Sequence, residues 1–238
     1  MNMSAADLIL NFANDHGNFT LRELSGHVRS RENISDSGLL WHIKKLIKNN
    51  QLSRISRGLY GKLSKNEFMP VLTHELKQLH EEIKTAFPLV DVVVYSGNEI
   101  NSLQHHLAPN NAIYVEVAKD VTEAVFHYLA EKRVKVYHKP SAELMKDYVD
   151  LSEKIVIVKA LTSESPVMTV DGVMMPTLEK LLVDVNCDPD FFYLQGGETF
   201  YIMENAKSLY SINIPKMLRY ASRRGQRKTM QKILNYND

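Results

Sequence analysis

Residues 34–63, ISDSGLLWHIKKLIKNNQLSRISRGLYGKL, read as one helix followed at once by a tight basic hairpin. Leu39, Ile43, Leu46 and Ile47 recur at the helical period and predict one apolar stripe. Trp41, Lys44, Lys45 and Lys48 fall on the other side. Ser35 or Asp36 can cap the start, because a short side-chain oxygen accepts from first-turn N–H groups that lack a partner inside the helix. Asn49-Asn50 stops the helix, Leu52, Ile55 and Leu59 supply apolar positions, and Arg57-Gly58 gives the turn. A helix with a cationic outer face running straight into a cationic hairpin is how a winged helix-turn-helix meets DNA.

Residues upstream complete that unit. Residues 4–14 predict a first helix with Leu8, Ile9, Phe12 and Ala13 inward, ended by Gly17. Thr20-Leu-Arg-Glu23 is a capping box, in which Thr20 covers the third helical N–H and Glu23 reaches back. Leu21, Leu24 and Val28 line a short second helix. Residues 1–65 are therefore expected to be a winged helix-turn-helix DNA-binding domain. In it Lys44, Lys45, Lys48, Arg54 and Arg57 would neutralise phosphates, a strong interaction that carries no sequence information. Ser35, Ser37, Leu40 and Trp41, near the helix start, would face base edges and supply any specificity.

Charge is segregated along the 238 residues, although the whole chain carries only +1. Residues 1–65 hold ten Lys/Arg against five Asp/Glu, residues 66–206 eleven against twenty-two, and residues 207–238 eight against one. Basic ends around an acidic middle predict polyanion contact at the ends. Cys187 is the single cysteine, which excludes an intrachain disulfide and a multi-thiol metal site. The N-terminal MNMSAADLIL is too interrupted for a signal peptide, and no apolar run of about 20 residues is present. The expected location is the cytoplasm, without membrane contact.

Residues 66–238 follow another pattern. Leu72, Leu76, Leu79, Ile83 and Phe87 make an amphipathic helix closed by Pro88. Strand-like β-branched runs at 90–95, 112–117, 134–137 and 155–158 alternate with helical stretches at 100–106, 121–132 and 142–148. Asp171-Gly172 marks a hairpin, and Pro176 is expected to open a helix that packs Leu178, Leu181, Leu182 and Val185 inward. Residues 198–205 and 215–235 read as further helices, the second hinged at Gly225. In that last run Arg219, Arg223, Arg224, Arg227 and Lys228 are expected to form a basic surface that touches nucleic acid or a partner. The fold class expected is α+β or α/β: a winged helix-turn-helix, then a mixed-sheet α/β domain with a helical C-terminus.

No catalytic constellation is complete in the sequence. Asp91 with Glu116 and Lys119 resembles the acid, then acid-x-Lys pattern of metal-dependent nucleases. That chemistry needs acid and lysine two residues apart, on one face of a strand. Here the spacing is three, so Lys119 turns away and Glu116 is expected to be an exposed strand residue. Histidines 105, 106, 127 and 138 show no His-x-x-x-His or Glu-x-x-His spacing, and Gly196-Gly197 lacks a phosphate-loop pattern. No cofactor, no metal and no enzymatic activity are expected.

Three segments carry a resemblance: Ile55-Ser-Arg-Gly-Leu-Tyr60, Pro176-Thr-Leu-Glu-Lys-Leu-Leu-Val-Asp184, and Asn213-Ile-Pro-Lys-Met-Leu-Arg-Tyr-Ala-Ser-Arg-Arg-Gly225. Their order resembles the AbiEi family of bacterial antitoxins from type IV toxin–antitoxin and abortive-infection systems. That family has an arg-gly-leu-tyr wing, a glu-arg/lys-x-leu-val-asp helix, and a closing helix with tyrosine-alanine and paired arginines. The resemblance implies a transcriptional repressor that binds operator DNA of its own operon as a monomer or weak dimer. It also implies a second domain that counters a nucleotidyltransferase-type toxin, with or without direct contact. Two alternatives stand beside it: a winged-helix-targeted nuclease of restriction-like fold, and a protein-binding scaffold with no DNA role.

Overall fold

Ser4 and Thr20 each open a helix by the same reciprocal bond. Ser4 Oγ accepts from the Asp7 N–H while the Asp7 carboxylate accepts from the Ser4 N–H, at 3.3 and 3.2 Å. Thr20 and Glu23 repeat the exchange at 3.3 and 2.7 Å. These caps satisfy N–H groups that a helix cannot pair internally, and they fix the starts of α1 (Ala5–His16) and α2 (Leu21–Arg29). The computed structural model describes residues 4–32, 34–49, 51–56, 58–62 and 66–234, which divide into two units, Met1–Lys65 and Asn66–Asp238.

In the first unit α3 (Asp36–Lys48) follows, with Ser35 as its cap: Ser35 Oγ accepts from Gly38 N–H at 3.1 Å. Three short strands, β1 (Asn18–Thr20), β2 (Leu52–Ser56) and β3 (Leu59–Lys62), form an antiparallel sheet in the order β1-β3-β2. The core joins Leu8, Ile9 and Phe12 of α1, Leu24 and Val28 of α2, and Leu39, Ile43 and Leu46 of α3 to Phe19, Leu52 and Tyr60 of the sheet. Strand β1 was not expected from the sequence. Three residues are too few for a period, and only their pairing with β3, Phe19 opposite Tyr60, makes them a strand. Asn50 and Arg57 lie outside the described residues.

The second unit is a six-stranded mixed sheet with helices on both faces. Helix α4 (His74–Ala86), capped by Thr73, leads to β4 (Val93–Ser96), a 3₁₀ turn (Gly97–Leu103) and β5 (Ile113–Val117). Then come α5 (Thr122–Ala130), β6 (Val136–His138), α6 (Ala142–Tyr148) and β7 (Val156–Ala160). A hairpin of β8 (Val167–Val170) and β9 (Val173–Pro176) precedes α7 (Leu178–Cys187). Helices α8 (Gly197–Leu209), α9 (Ile214–Arg223) and α10 (Arg227–Leu234) close the chain. Strand order is β6-β7-β5-β4-β9-β8, with β6, β7 and β5 mutually parallel and β4 antiparallel to β5.

Period-two alternation sends the strand side chains to two cores. Val94, Val115, Val117 and Val158 pack under α4 and α5, whereas Val93, Tyr95, Tyr114 and Ile157 pack under α7 to α10. Both faces are covered, which is why all five residues of β5 are buried. Asp171 and Gly172 both take positive φ, as a two-residue hairpin turn of matching twist requires.

Several sequence expectations are corrected. Pro176 ends β9, and Thr177 is the residue before α7. The stretch 100–106 is a 3₁₀ turn that stops at Leu103, so His105 and His106 lie beyond it. The single hinged helix at 215–235 is two helices, because Gly225 at φ +68° cannot continue an α-helix. Among the described residues no helix is long and apolar enough to cross a membrane.

Candidate functional site

Helix α3 presents two chemically opposite faces. Leu39, Ile43 and Leu46 are buried, and Ser37, Trp41, Lys44, Lys45 and Lys48 are exposed. Trp41 keeps 57% of its surface exposed, far more than an indole built only for packing. The Lys45 ammonium lies 5.2 Å from the Trp41 ring centre, a cation–π contact that holds both side chains on the outer face. Leu40 is half-buried beside them, and Arg54 is exposed on β2. The Ser35 hydroxyl caps the helix and also touches Ser37 Oγ at 3.0 Å, so it is committed to the backbone rather than open for base reading. Asp36, in the first turn, pairs with Arg29 at the end of α2 and ties the two helices together.

A second assembly lies in the other unit, where a network of charges is buried between the sheet and α7. Glu116 of β5 is 2% exposed, contrary to its expected exposure. It shares a sheet face with Tyr95 and Tyr114, and α7 covers that face. The register sets Glu116 directly opposite Lys159 of β7, so the lysine beside it comes from the neighbouring strand, not from Lys119. Lys159 Nζ sits 2.8 Å from Asp188, 2.9 Å from Asp190 and 3.8 Å from Glu116. Lys180 of α7 donates to Glu116 at 2.8 Å and to Asp184 at 2.5 Å. Tyr95 and Tyr220 hydroxyls donate to Glu116 and Asp184, each at 2.8 Å.

Arg224 corrects the basic-surface expectation. Its guanidinium turns inward, donating to Asp184 at 2.7 Å and pairing with Asp188. Arg223 is exposed but pairs with Glu164. Arg219, Arg227 and Lys228 are exposed and make no ion pair among the described residues. Glu179 accepts from the Asn213 N–H at 2.9 Å and from the Thr177 hydroxyl at 2.6 Å, fixing the entry to α9.

The network's electrostatics follow from burial and pairing. Burial works against the charged form of Lys159, yet Asp188 and Asp190 hold it well above the usual lysine range. Lys180 is likewise raised, with Asp184 and Glu116 outweighing its burial. Burial raises Asp184 despite the opposing pull of Lys180. Asp188 goes the other way: Lys159 and Arg224 overcome burial and push its carboxyl down. Burial lifts the thiol of partly buried Cys187 to about 12, which disfavours its thiolate.

Beside this network a cleft of ≈ 260 Å³ opens at the carboxyl ends of β5, β6 and β7, lined by Lys139, Thr162, Lys159, Asp188, Asp190 and Arg224 among others. Open α/β sheets bind ligands at that edge. Here, however, the Lys159 ammonium already occupies the point where three carboxylates converge. A divalent cation at that point would have to displace it.

Sequence reading brought together the α3 residues but missed the network. Lys180 and Asp184 carried the readable signal, a charged pair four apart on a helix whose other positions are apolar. No curated protein matches this chain. Residues 38–238, a span that begins inside α3 and takes in the hairpin and the whole second unit, match the model of a family of unknown function. The chain belongs to that family, DUF6577.

Proposed function

We propose that this protein is a DNA-binding autorepressor and antitoxin. Its first unit acts as a winged helix-turn-helix, and its second counters a nucleotidyltransferase-type toxin. The observation that carries the reading is the outer face of α3. An exposed indole and three exposed lysines stand over a fully apolar inner face, and an antiparallel hairpin follows at once. Lys44, Lys45 and Lys48 bind phosphate, while Ser37, Leu40 and Trp41 meet base edges, and Arg54 of the hairpin reaches the flanking backbone. The antitoxin half rests on the resemblance to AbiEi proteins and on its three motifs. Two of those motifs, at 179–184 and 213–225, supply Lys180, Asp184, Tyr220 and Arg224 to the buried network. In this reading the network holds the C-terminal helices in place, and Arg219, Arg227 and Lys228 are left to touch nucleic acid or the toxin.

The protein works in the cytoplasm as a monomer or weak dimer on its operator, without catalysis. Co-expression with the nucleotidyltransferase encoded beside it tests the antitoxin half: growth rescue is expected, and unrelieved toxicity would remove it. A second reading, a metal-dependent nuclease, is favoured by Glu116 facing Lys159 beside a cleft. Against it, that lysine and Lys180 already neutralise the carboxylates. DNA cleavage that requires Mg²⁺ and disappears in Glu116→Ala would revive it.

A further inference from the structure

His105 and His106 follow the 3₁₀ turn Gly97–Leu103, and the fold brings Glu198 of α8 against them from 93 residues away. No spacing rule on one helix could have shown this. His105 Nδ1 lies 3.1 Å from His106 Nε2. Two imidazole nitrogens bound tetrahedrally to a zinc ion at about 2.0–2.1 Å stand about 3.3 Å apart, so this pair is already at chelating separation. Facing imidazole nitrogens need either one proton or one metal ion between them. Glu198 supplies the third donor, and all three ligand atoms fall within 4.8 Å of one another.

The surroundings hold these groups in place. Glu198 Oε1 accepts the backbone N–H groups of His105 and His106, at 2.5 and 3.2 Å, which leaves Oε2 for a metal. Tyr201, one turn along α8, stacks on the His105 ring with centres 5.0 Å apart. Asn205 donates to the Leu103 carbonyl at 2.8 Å and ties the same loop to α8. Both histidines are exposed, so an ion reaches them from solvent without any opening of the core.

We propose that His105, His106 and Glu198 form a transition-metal site. Two imidazoles and one carboxylate suit Zn²⁺, Ni²⁺ or Cu²⁺ rather than Mg²⁺ or Ca²⁺, and three protein ligands leave a fourth position open. The bound ion staples the connection between β4 and β5 to α8.

Tag-free full-length chain, stripped by chelator, is titrated with Zn²⁺ by calorimetry and with Co²⁺ by visible absorption. One saturable Zn²⁺ site per chain and the intense bands of four-coordinate Co²⁺ are expected. Outer-shell changes reach about 100-fold in metal affinity, and loss of a ligand in His105→Ala, His106→Ala or Glu198→Gln costs at least that. Glu198→Gln keeps an acceptor for the two backbone N–H groups, so it separates loss of the ligand from loss of the loop. His127→Ala removes the rival Glu123–His127 pair on α5 and leaves binding unchanged. Absence of saturable binding, binding that survives His106→Ala in a folded variant, or binding that follows His127 would overturn the proposal.

Discussion

Lys180 has no surface to speak of and carboxylates on two sides, so its charge is affordable only while both are present. Breaking a buried ion pair from one side leaves an uncompensated charge in a low dielectric, a loss of about 3–5 kcal/mol. Lys180→Met should therefore destabilise the second unit by about 3–5 kcal/mol in urea unfolding, although methionine fills nearly the same volume. Wild-type stability in that variant would mean the network contributes nothing to the fold. Glu99 gives a pH-dependent counterpart. Burial raises its carboxyl from the ordinary 4.5 to about 7, against the opposing effect of the Val71 N–H bond. Between those values the folded chain keeps a proton that the unfolded chain has released, so stability falls as pH rises through this window. Glu99→Gln should abolish that fall and exceed wild type at pH 8 by about 1–2 kcal/mol, a figure already reduced for partial exposure. Parallel stability profiles for the two proteins would contradict it.

Helix α3 is the element on which the proposed DNA recognition would rest, and its buried and exposed faces set folding apart from that proposed binding. Lys44→Ala with Lys45→Ala should weaken binding to every sequence and flatten the salt slope by roughly one to two units. Trp41→Ala should instead narrow the gap between operator and scrambled DNA by about 1–3 kcal/mol, with little effect on melting. Anisotropy titrations at several salt concentrations distinguish the two effects. This helix was legible from sequence because its period, its cap and its charge stripe all lie within thirteen residues. The strands of the second unit were legible for the same local reason. What could not be read was pairing across distance. Glu116 and Lys159 look like exposed strand charges until the register sets them side by side under α7. Arg224 looks like its neighbours Arg219 and Arg223 until α9 packs: it follows buried Met217 and Tyr220 at the helical period and so meets Asp184 and Asp188. His105 and His106 gain a third donor only because α8 packs on the turn before them.

Over the whole chain, the charge layout divides the work. The first unit holds ten Lys/Arg against five Asp/Glu and residues 207–238 eight against one, the balance that the proposed contact with a polyanion needs, whereas residues 66–206 hold eleven against twenty-two. At the sheet centre Glu116, Asp184, Asp188 and Asp190 pair internally with Lys159, Lys180 and Arg224. Specific DNA binding by the first unit is what a gel shift on the DNA upstream of the protein's own gene would detect. Scrambled competitor is run beside it at low and at physiological salt. Retention that survives the competitor and weakens with salt is the predicted result. No retention at either salt would contradict the claim and leave residues 1–65 as a protein-contact module.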